Sequence, residues 1–395
     1  MKIKALASLS FLAGMFGKSL VVLISFVIFI LFIDPYGINP WGLEISRVNK
    51  IKYERVNIDR LIKPWEVYWK QPKTIFMGTS RPHQSLNPVV LDNSVFAPAY
   101  NAAVPASTID DHTAFIQEYI QSNPNLKYII LDVFWRYWVL HNTNLEVVKE
   151  ADLGQTLDHV YYESSFSRVF VILCKFFSID GIFDSFLTLK KNFSKELADY
   201  YISTTGYLFR KGGDSSGLFP NYGDNVMKEG QDKFHKLGKI FFHKLSNLYD
   251  ICKKNGVTLI ITILPEHPVS DHFYMETGQF VMLEYFLKRL AHYPNVYYFS
   301  SLGGLDQPNP YWWDPHHPSI TVGNMVLESL KNGKPNSKIP DFGVLLTPQN
   351  VKKIISRRKQ GLNKWMASNK AYVSAYKETQ KVYMPIKVIA PTELN

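Results

Sequence analysis

Apolar and polar positions alternate along this chain in blocks, and the blocks suggest its elements. Ser19 to Ile33 carries no charge and lies between Lys18 and Asp34. Extended back through Phe11–Gly17, it reaches the roughly 20 residues that cross a bilayer, with Lys18 lying along the helix and snorkelling. Farther on, Thr74–Gly78, Tyr100–Val104, Tyr128–Phe134, Thr258–Leu264 and Val296–Ser300 are short apolar runs of the kind that form buried parallel strands. Helical spacing fills several of the gaps. Ser107 to Ser122 has Ser107 as its N-cap, with Asp110 three residues on. Phe234 to Asn255 sets Leu237, Ile240, Phe241, Leu245, Leu248 and Cys252 on one stripe, and Gly256 ends it. Strands alternating with helices predict an α/β domain with right-handed crossovers.

The same pattern divides the chain. Residues 1–34 read as a cytoplasmic stub and a transmembrane signal anchor, and 35–73, rich in Pro, Gly and Trp, as a linker. Residues 74–346 form the α/β domain, interrupted over about 137–233 by a mainly helical insertion with clusters at Phe166–Phe177 and Ile182–Leu189. Residues 347–395 are a basic amphipathic helix and tail. There Thr347 is the expected N-cap, with Pro348 at the first helical position. Val351, Ile354, Ile355, Leu362, Trp365 and Met366 share a face that must be buried, on the domain or on the membrane surface.

Charge fixes an orientation. Lys2 and Lys4 precede the apolar run, which places the N-terminus in the cytoplasm. No small-x-small cleavage site follows; Asp34-Pro35-Tyr36-Gly37 does. The expectation is an uncleaved single-pass anchor through residues 11–33, with everything beyond Asp34 outside the cytoplasm; the rival reading is a cleaved export signal. The net charge is +10, and basic residues crowd the end of the chain, where Glu378 and Glu393 are the acids beyond Thr347. An exported chain without a recognition motif is not expected to bind nucleic acid. The tail suits anionic headgroups or acidic envelope polymers, or forms a solvated helix face. With 46% hydrophobic residues the chain has a real core, and Cys174 and Cys252 are too few for a disulfide framework.

The candidate chemistry lies where strands end. In open α/β sheets ligands bind beyond the carboxyl ends of the strands. Ser80 follows the first run, Asn101 lies in the second, and Asp314-Pro315-His316-His317 follows the last. Ser80 is either a nucleophile or a helix cap. A nucleophilic serine needs a base, and the base a carboxylate to orient it. Asp314 and His317, three residues apart, supply both from one turn; His316 is the rival base, disfavoured by the spacing. Arg81 is a candidate for a substrate carboxylate or phosphate, or a structural cation. His267 is a substrate contact or a satisfied loop histidine, and Asp132 a site residue or a partner of Arg136. Tyr311, Trp312 and Trp313 stack on a sugar or pack. Glu266, His267 and His272 show no metal-ligand spacing such as HExxH, so no metal is expected.

These residues carry a resemblance. Gly-Thr-Ser near the start, an Asn-containing second block and Asp-x-x-His near the end resemble the SGNH (GDSL-like) hydrolase superfamily. "FIDPYG", "GTSR", "YNAAVPAS", "ILDVFW", "LPEHP", "DPHHPSITVGN" and "DFGVLLTPQNV" look like successive landmarks of its membrane-anchored bacterial members. The resemblance implies a flavodoxin-like three-layer parallel sheet with a helical insertion and an N-terminal transmembrane helix. It implies Ser80 as nucleophile, His317 as base, Asp314 as its partner and the Ser80 N–H as an oxyanion donor, without a cofactor. Two positions depart from the pattern. Ala106 stands where a second-block glycine N–H is expected, and Asp132 stands in the region of the third-block asparagine, leaving Asn101 as a substitute donor.

The function expected is an extracytoplasmic esterase or O-acyltransferase, anchored in a bacterial inner membrane, with its main domain in the periplasm. Its substrate would be an acylated cell-envelope glycan or polymer, and a polytopic membrane acyltransferase is a candidate partner. The alternative is an inactive scaffold of the same fold that binds or assembles components of an envelope polysaccharide pathway.

Overall fold

The computed structural model describes residues 2–39, 44–135, 165–194, 200–210, 231–276, 278–371 and 373–374. The chain opens with helix α1 (Lys2–Ile33), then α2 (Asp59–Lys70), β1 (Thr74–Met77), α3 (Ser80–Ser85), β2 (Ala99–Asn101), α4 (Ile109–Ser122) and β3 (Tyr128–Asp132). Helices α5 (Ser165–Phe176) and α6 (Ile179–Ser194) and the short strands β4 (Tyr200–Ile202) and β5 (Leu208–Arg210) come next. The chain continues with α7 (Gln231–Lys254), β6 (Thr258–Ile263), α8 (Pro268–Glu276), α9 (Phe280–Leu290), β7 (Val296–Phe299), α10 (Ile320–Asn332), β8 (Phe342–Leu345) and α11 (Val351–Ser368).

The central sheet runs β2-β1-β3-β6-β7-β8. Its first five strands are parallel, and β8 runs antiparallel to β7 at the edge. The chain steps from β1 outward to β2 and then returns across β1 to β3. Connections thus leave in opposite directions on either side of β1, which opens a crevice at the carboxyl ends of β1 and β3. Successive strand residues face opposite sides of the sheet. Phe76, Ile130 and Ile260 pack with Val322, Val326 and Leu327 of α10 and with Leu362 and Trp365 of α11. Ile75, Ile129 and Ile261 point the other way and are also fully buried. The architecture is α/β, with a mostly parallel six-stranded sheet.

Several boundaries differ from the expectation. The cap of α4 is Thr108, whose side chain accepts from the Asp111 N–H while Asp111 accepts from the Thr108 N–H. Ser107 instead closes the preceding turn, its hydroxyl donating to the Val104 carbonyl at 2.7 Å. Helix α11 starts after Asn350, whose side chain accepts from the Thr347 N–H at 2.8 Å, so Thr347-Pro348 forms the turn before it. On α7, Phe241, Leu245, Leu248 and Cys252 are buried, but Ile240 is exposed. Residues 35–73 are not an irregular linker: α2 forms there although Pro64 lies inside it and forfeits one backbone bond. Strand β8 was not expected, because Gly343 interrupts its apolar run. Gly343 has φ +84, and a Cβ there would lie 2.2 Å from Ser329 Oγ.

Two compact units result: Met1–Trp65 with Thr156–Thr204, and Glu66–Gln155 with Thr205–Asn395. The helices of the expected insertion therefore group with the N-terminal segment. Ile172 and Phe176 of α5 share a cluster with Ile30, Tyr36, Ile38, Leu61 and Ile62. The basic helix α11 is an integral part of the second unit. Its Arg358 donates through Nε to Asp271 Oδ2 at 2.8 Å and through Nη1 to the Tyr298 hydroxyl at 2.9 Å, all in the interior. Arg357 and Lys359 pair with Asp341 and Glu284. Within α1, Gly14–Ile33 is long and apolar enough to cross a membrane.

Candidate active site

Strand β1 ends at Met77, and the backbone turns sharply at Gly78. Gly78 has φ +138, and a Cβ there would lie 2.6 Å from Pro82 Cγ, so only glycine fits. Thr79 is the extended residue at the N-cap, and Ser80 is the first residue of α3. Ser80 is therefore not the cap, and its own N–H, at the first helical position, has no intrahelical acceptor.

Opposite it stands a closed loop, Trp312 to Pro318. Trp312 and Pro318 form a β-bridge, and the Trp313 N–H donates to the His317 carbonyl at 2.9 Å. Within the loop, Asp314 Oδ1 accepts from the N–H groups of His316 (2.9 Å) and His317 (3.0 Å). Asp314 Oδ2 lies 2.7 Å from His317 Nδ1, and His317 Nε2 lies 2.7 Å from Ser80 Oγ. Burial pushes the Asp314 carboxyl up, but the His317 hydrogen bond and the nearby histidines outweigh it and hold the group at about 2. An ionised Asp314 fixes the proton on His317 Nδ1, which leaves Nε2 as the acceptor for the Ser80 hydroxyl. The three groups form one hydrogen-bonded row, part-buried and correctly polarised for proton transfer from serine to histidine.

His316, next in line, faces elsewhere. Its Nδ1 lies 2.8 Å from Glu266 Oε1, which also accepts from the Tyr274 hydroxyl at 2.6 Å. Burial raises the Glu266 carboxyl, yet His316, Arg81 and Tyr274 bring it down to about 2.

The other expected site residues prove to be interior. Arg81 is 1% exposed and donates to the carbonyls of His316 (3.0 Å), Leu264 (2.7 Å) and Pro265 (2.8 Å). Its guanidinium stacks 4.4 Å over the Phe134 ring and pairs with Asp132 at 3.7 Å. Such a side chain cannot meet a substrate; it ties α3 to β6 and to the histidine loop. Asp132 accepts from the Leu264 N–H at 3.0 Å, and burial raises its carboxyl to about 6 against the lowering effect of Arg81. Asn101 is no oxyanion donor, because its Nδ2 serves the carbonyls of Pro82 (2.9 Å) and Leu86 (2.8 Å) and so holds α3 in place. His267 lies fully buried between the rings of Trp312 and Trp365, at 5.7 and 5.8 Å. Its Nδ1 accepts from the Val269 N–H, so Nε2 carries the proton toward the Asp306 carbonyl, 3.1 Å away. Burial lowers its pKa to about 3, the Asp306 contact opposing. Arg136, the expected partner of Asp132, lies outside the described residues.

Of the aromatic residues before Asp314, Trp312 packs inside and donates to the Leu305 carbonyl at 2.7 Å. Trp313 has a neighbour the sequence did not suggest: the Arg210 guanidinium lies 5.2 Å over its ring, and Arg210 Nη1 reaches Gln84 Oε1 at 3.4 Å. The strand carrying Arg210 is held by Thr205, whose carbonyl accepts from the Asn101 N–H at 2.8 Å. Nothing local in "GYLFR" signals that placement.

The loop after β2 carries Ala106, the position where the resemblance expects a glycine N–H. The Val104 N–H donates to the Gly78 carbonyl at 3.1 Å, which lays the loop beside the β1 turn. Two residues on, Ala106 is exposed and has φ +58. Alanine thus occupies a conformation that glycine adopts freely. Among the described residues no group of three His, Cys, Asp or Glu side chains is placed to hold a metal ion. Compared with known proteins, the chain matches no family model and no curated protein.

Proposed function

We propose that this chain is a membrane-anchored serine hydrolase or O-acyltransferase of the SGNH type, acting on an ester-linked acyl group of a cell-envelope glycan or polymer outside the cytoplasm. The observation that carries the reading is the row Ser80–His317–Asp314, with both hydrogen bonds at 2.7 Å. The strand order, the serine after β1 and the Asp-x-x-His segment before α10 agree with the flavodoxin-like core of that superfamily. Placement outside the cytoplasm rests on the apolar length of Gly14–Ile33 and on Lys2 and Lys4 before it.

In this mechanism Ser80 Oγ attacks the ester carbonyl carbon while His317 Nε2 takes the hydroxyl proton. Asp314 keeps the imidazole in the required tautomer and stabilises the imidazolium. The Ser80 N–H donates to the oxyanion. Collapse of the tetrahedral species breaks the ester C–O bond, and His317 returns the proton to the departing sugar oxygen, leaving an acyl-Ser80. Water or another sugar hydroxyl, deprotonated by His317, then attacks the acyl carbon and frees Ser80. The test is covalent labelling of the detergent-solubilised protein with a fluorescent phosphonate. Labelling that Ser80→Ala abolishes and His317→Ala slows at least about a hundred-fold supports the reading; no labelling of folded wild type overturns it.

One observation favours the alternative, a binding or assembly scaffold. Asn101 and Asp132 are turned inward, so neither offers a side-chain donor to an oxyanion. Losing one such donor costs about 3–4 kcal/mol, or a hundred- to a thousand-fold in rate. The same labelling experiment separates the two.

A further inference from the structure

Helix α6 is amphipathic in the reverse sense for a surface in water. Its inward face is Gly181, Ser185, Thr188 and Asn192, all buried. Its outward face is Ile179, Phe183, Phe186 and Phe193, exposed by 72%, 68%, 52% and 75%. On that face Asn192 exchanges two hydrogen bonds with the backbone of Ile51, at 3.0 and 2.9 Å, and the Ser185 hydroxyl donates to the Gly181 carbonyl at 2.7 Å; beside it Lys191 pairs with Glu54 at 3.1 Å. Helix α5 adds Phe170 and Leu173 to the exposed apolar surface. Water-soluble chains rarely expose a contiguous surface of this kind.

The position of α6 along α1 says what covers it. The rings of Phe29 and Phe186 are 4.7 Å apart. Phe29 lies four residues before the end of α1, about 6 Å along the axis. Beyond it the last carbonyls of α1 meet polar groups. Asn39 Nδ2 donates to Leu31 O at 2.5 Å, Asn49 Nδ2 to Phe32 O at 3.0 Å, and Lys52 Nζ to Ile33 O at 3.2 Å. That polar collar marks where the surroundings of α1 cease to be hydrocarbon. Phe186 sits on the hydrocarbon side of it, and its surface continues that of Ile28 and Phe32, which are themselves exposed.

We propose that α5 and α6 lie in the membrane leaflet beside the end of α1, with lipid acyl chains covering their outward faces. The inference rests on α1 crossing the membrane, and is independent of any chemistry at Ser80. Interfacial helices bury an apolar face about 5–10 Å into the headgroup and acyl boundary, which suits the depth of Phe186. Lys190, exposed on α6, reaches back to the headgroups, and Lys175 pairs with Asp180 at 2.9 Å.

The test uses the full chain, with Cys174→Ser to remove the exposed thiol, reconstituted in phosphatidylethanolamine–phosphatidylglycerol bilayers. Nitroxides are attached singly at Phe183→Cys and Phe193→Cys, with Ile24→Cys as a reference in the apolar run and Glu328→Cys as a reference in water. Collision with oxygen is measured against collision with a nickel chelate. The expected result is an oxygen preference at 183 and 193 several-fold above that at 328 and approaching that at 24. A ratio at 183 and 193 equal to that at 328, with 24 in lipid, overturns the inference and leaves the anchor standing. A water-like ratio at 24 overturns both. Dipolar broadening at 183 that vanishes on dilution with unlabelled chain assigns the face to a second copy, and also overturns it.

Discussion

His316 and His317 are consecutive, and their rings serve different carboxylates: His317 Nδ1 lies 2.7 Å from Asp314 and His316 Nδ1 lies 2.8 Å from Glu266. Only His317 also reaches Ser80. The Asp314 carboxylate sets this arrangement by accepting from both backbone N–H groups, which fixes where each side chain leaves the loop.

Substituting the two histidines therefore separates chemistry from support. His317→Ala is expected to slow phosphonate labelling by about a hundred-fold or more, as removal of a general base does, with little change in melting temperature. His316→Ala leaves the base in place but takes from the buried Glu266 carboxylate one of its hydrogen-bond partners, Tyr274 remaining, a loss of about 1–3 kcal/mol. Labelling rates and thermal melts of both variants check this. Equal labelling by His317→Ala and wild type would exclude His317 as the base.

Arg81 is expected to behave as a structural cation. Arg81→Gln leaves three carbonyls and Asp132 without their partner and should cost about 3–5 kcal/mol in urea denaturation. Arg81→Lys should recover little of it, because a single ammonium cannot reproduce the planar fork. A variant of wild-type stability would show that the carbonyls do not depend on Arg81.

Two interior groups pull the pH dependence of stability in opposite directions. As pH falls below 6.5 the unfolded chain protonates His267, while burial keeps the folded ring neutral to about 3, so stability falls. Burial raises Asp132 to about 6 from 3.8 in spite of Arg81, so there the folded state takes up its proton first, and stability rises as pH falls through that window. Asp132→Asn removes the second contribution alone. Its stability should fall more steeply than that of wild type between pH 6 and 3.8, as read from denaturant midpoints. Parallel curves would mean that Asp132 does not titrate there.

Ala106→Gly should be neutral or stabilising by up to about 1 kcal/mol, because glycine relieves the φ of +58 but loses more chain entropy on folding. Urea midpoints measure it. A destabilisation beyond 1 kcal/mol would show that the methyl group makes contacts that the exposed position does not suggest.

The sheet was largely legible because each parallel strand is buried on both faces and appears as an apolar run. Strand β8 was not, since Gly343 breaks its run for the sake of a close approach to Ser329. Ser80, Asp314 and His317 stood out because strand ends and an i, i+3 spacing are local features. The parts played by Arg81, Asn101 and His267 were hidden, because their partners are backbone carbonyls distant in sequence, and a carbonyl leaves no mark on residue identity. The reversed polarity of α6 is written in the sequence, but it becomes informative only once Asn192 is seen bonded to Ile51 and Phe186 seen against Phe29.

His267 also gives the chain a temporal order. Its ring is walled by Trp312 on one side and by Trp365 of α11 on the other, and its N–H holds the Pro315 carbonyl at 2.9 Å. Synthesis delivers Ser80 early and Trp365 some 285 positions later. Until α11 docks, the loop bearing Asp314 and His317 lacks the Trp365 side of that wall. On the proposed reading, the nascent polypeptide therefore carries Ser80 long before α11 can brace the loop that holds its base.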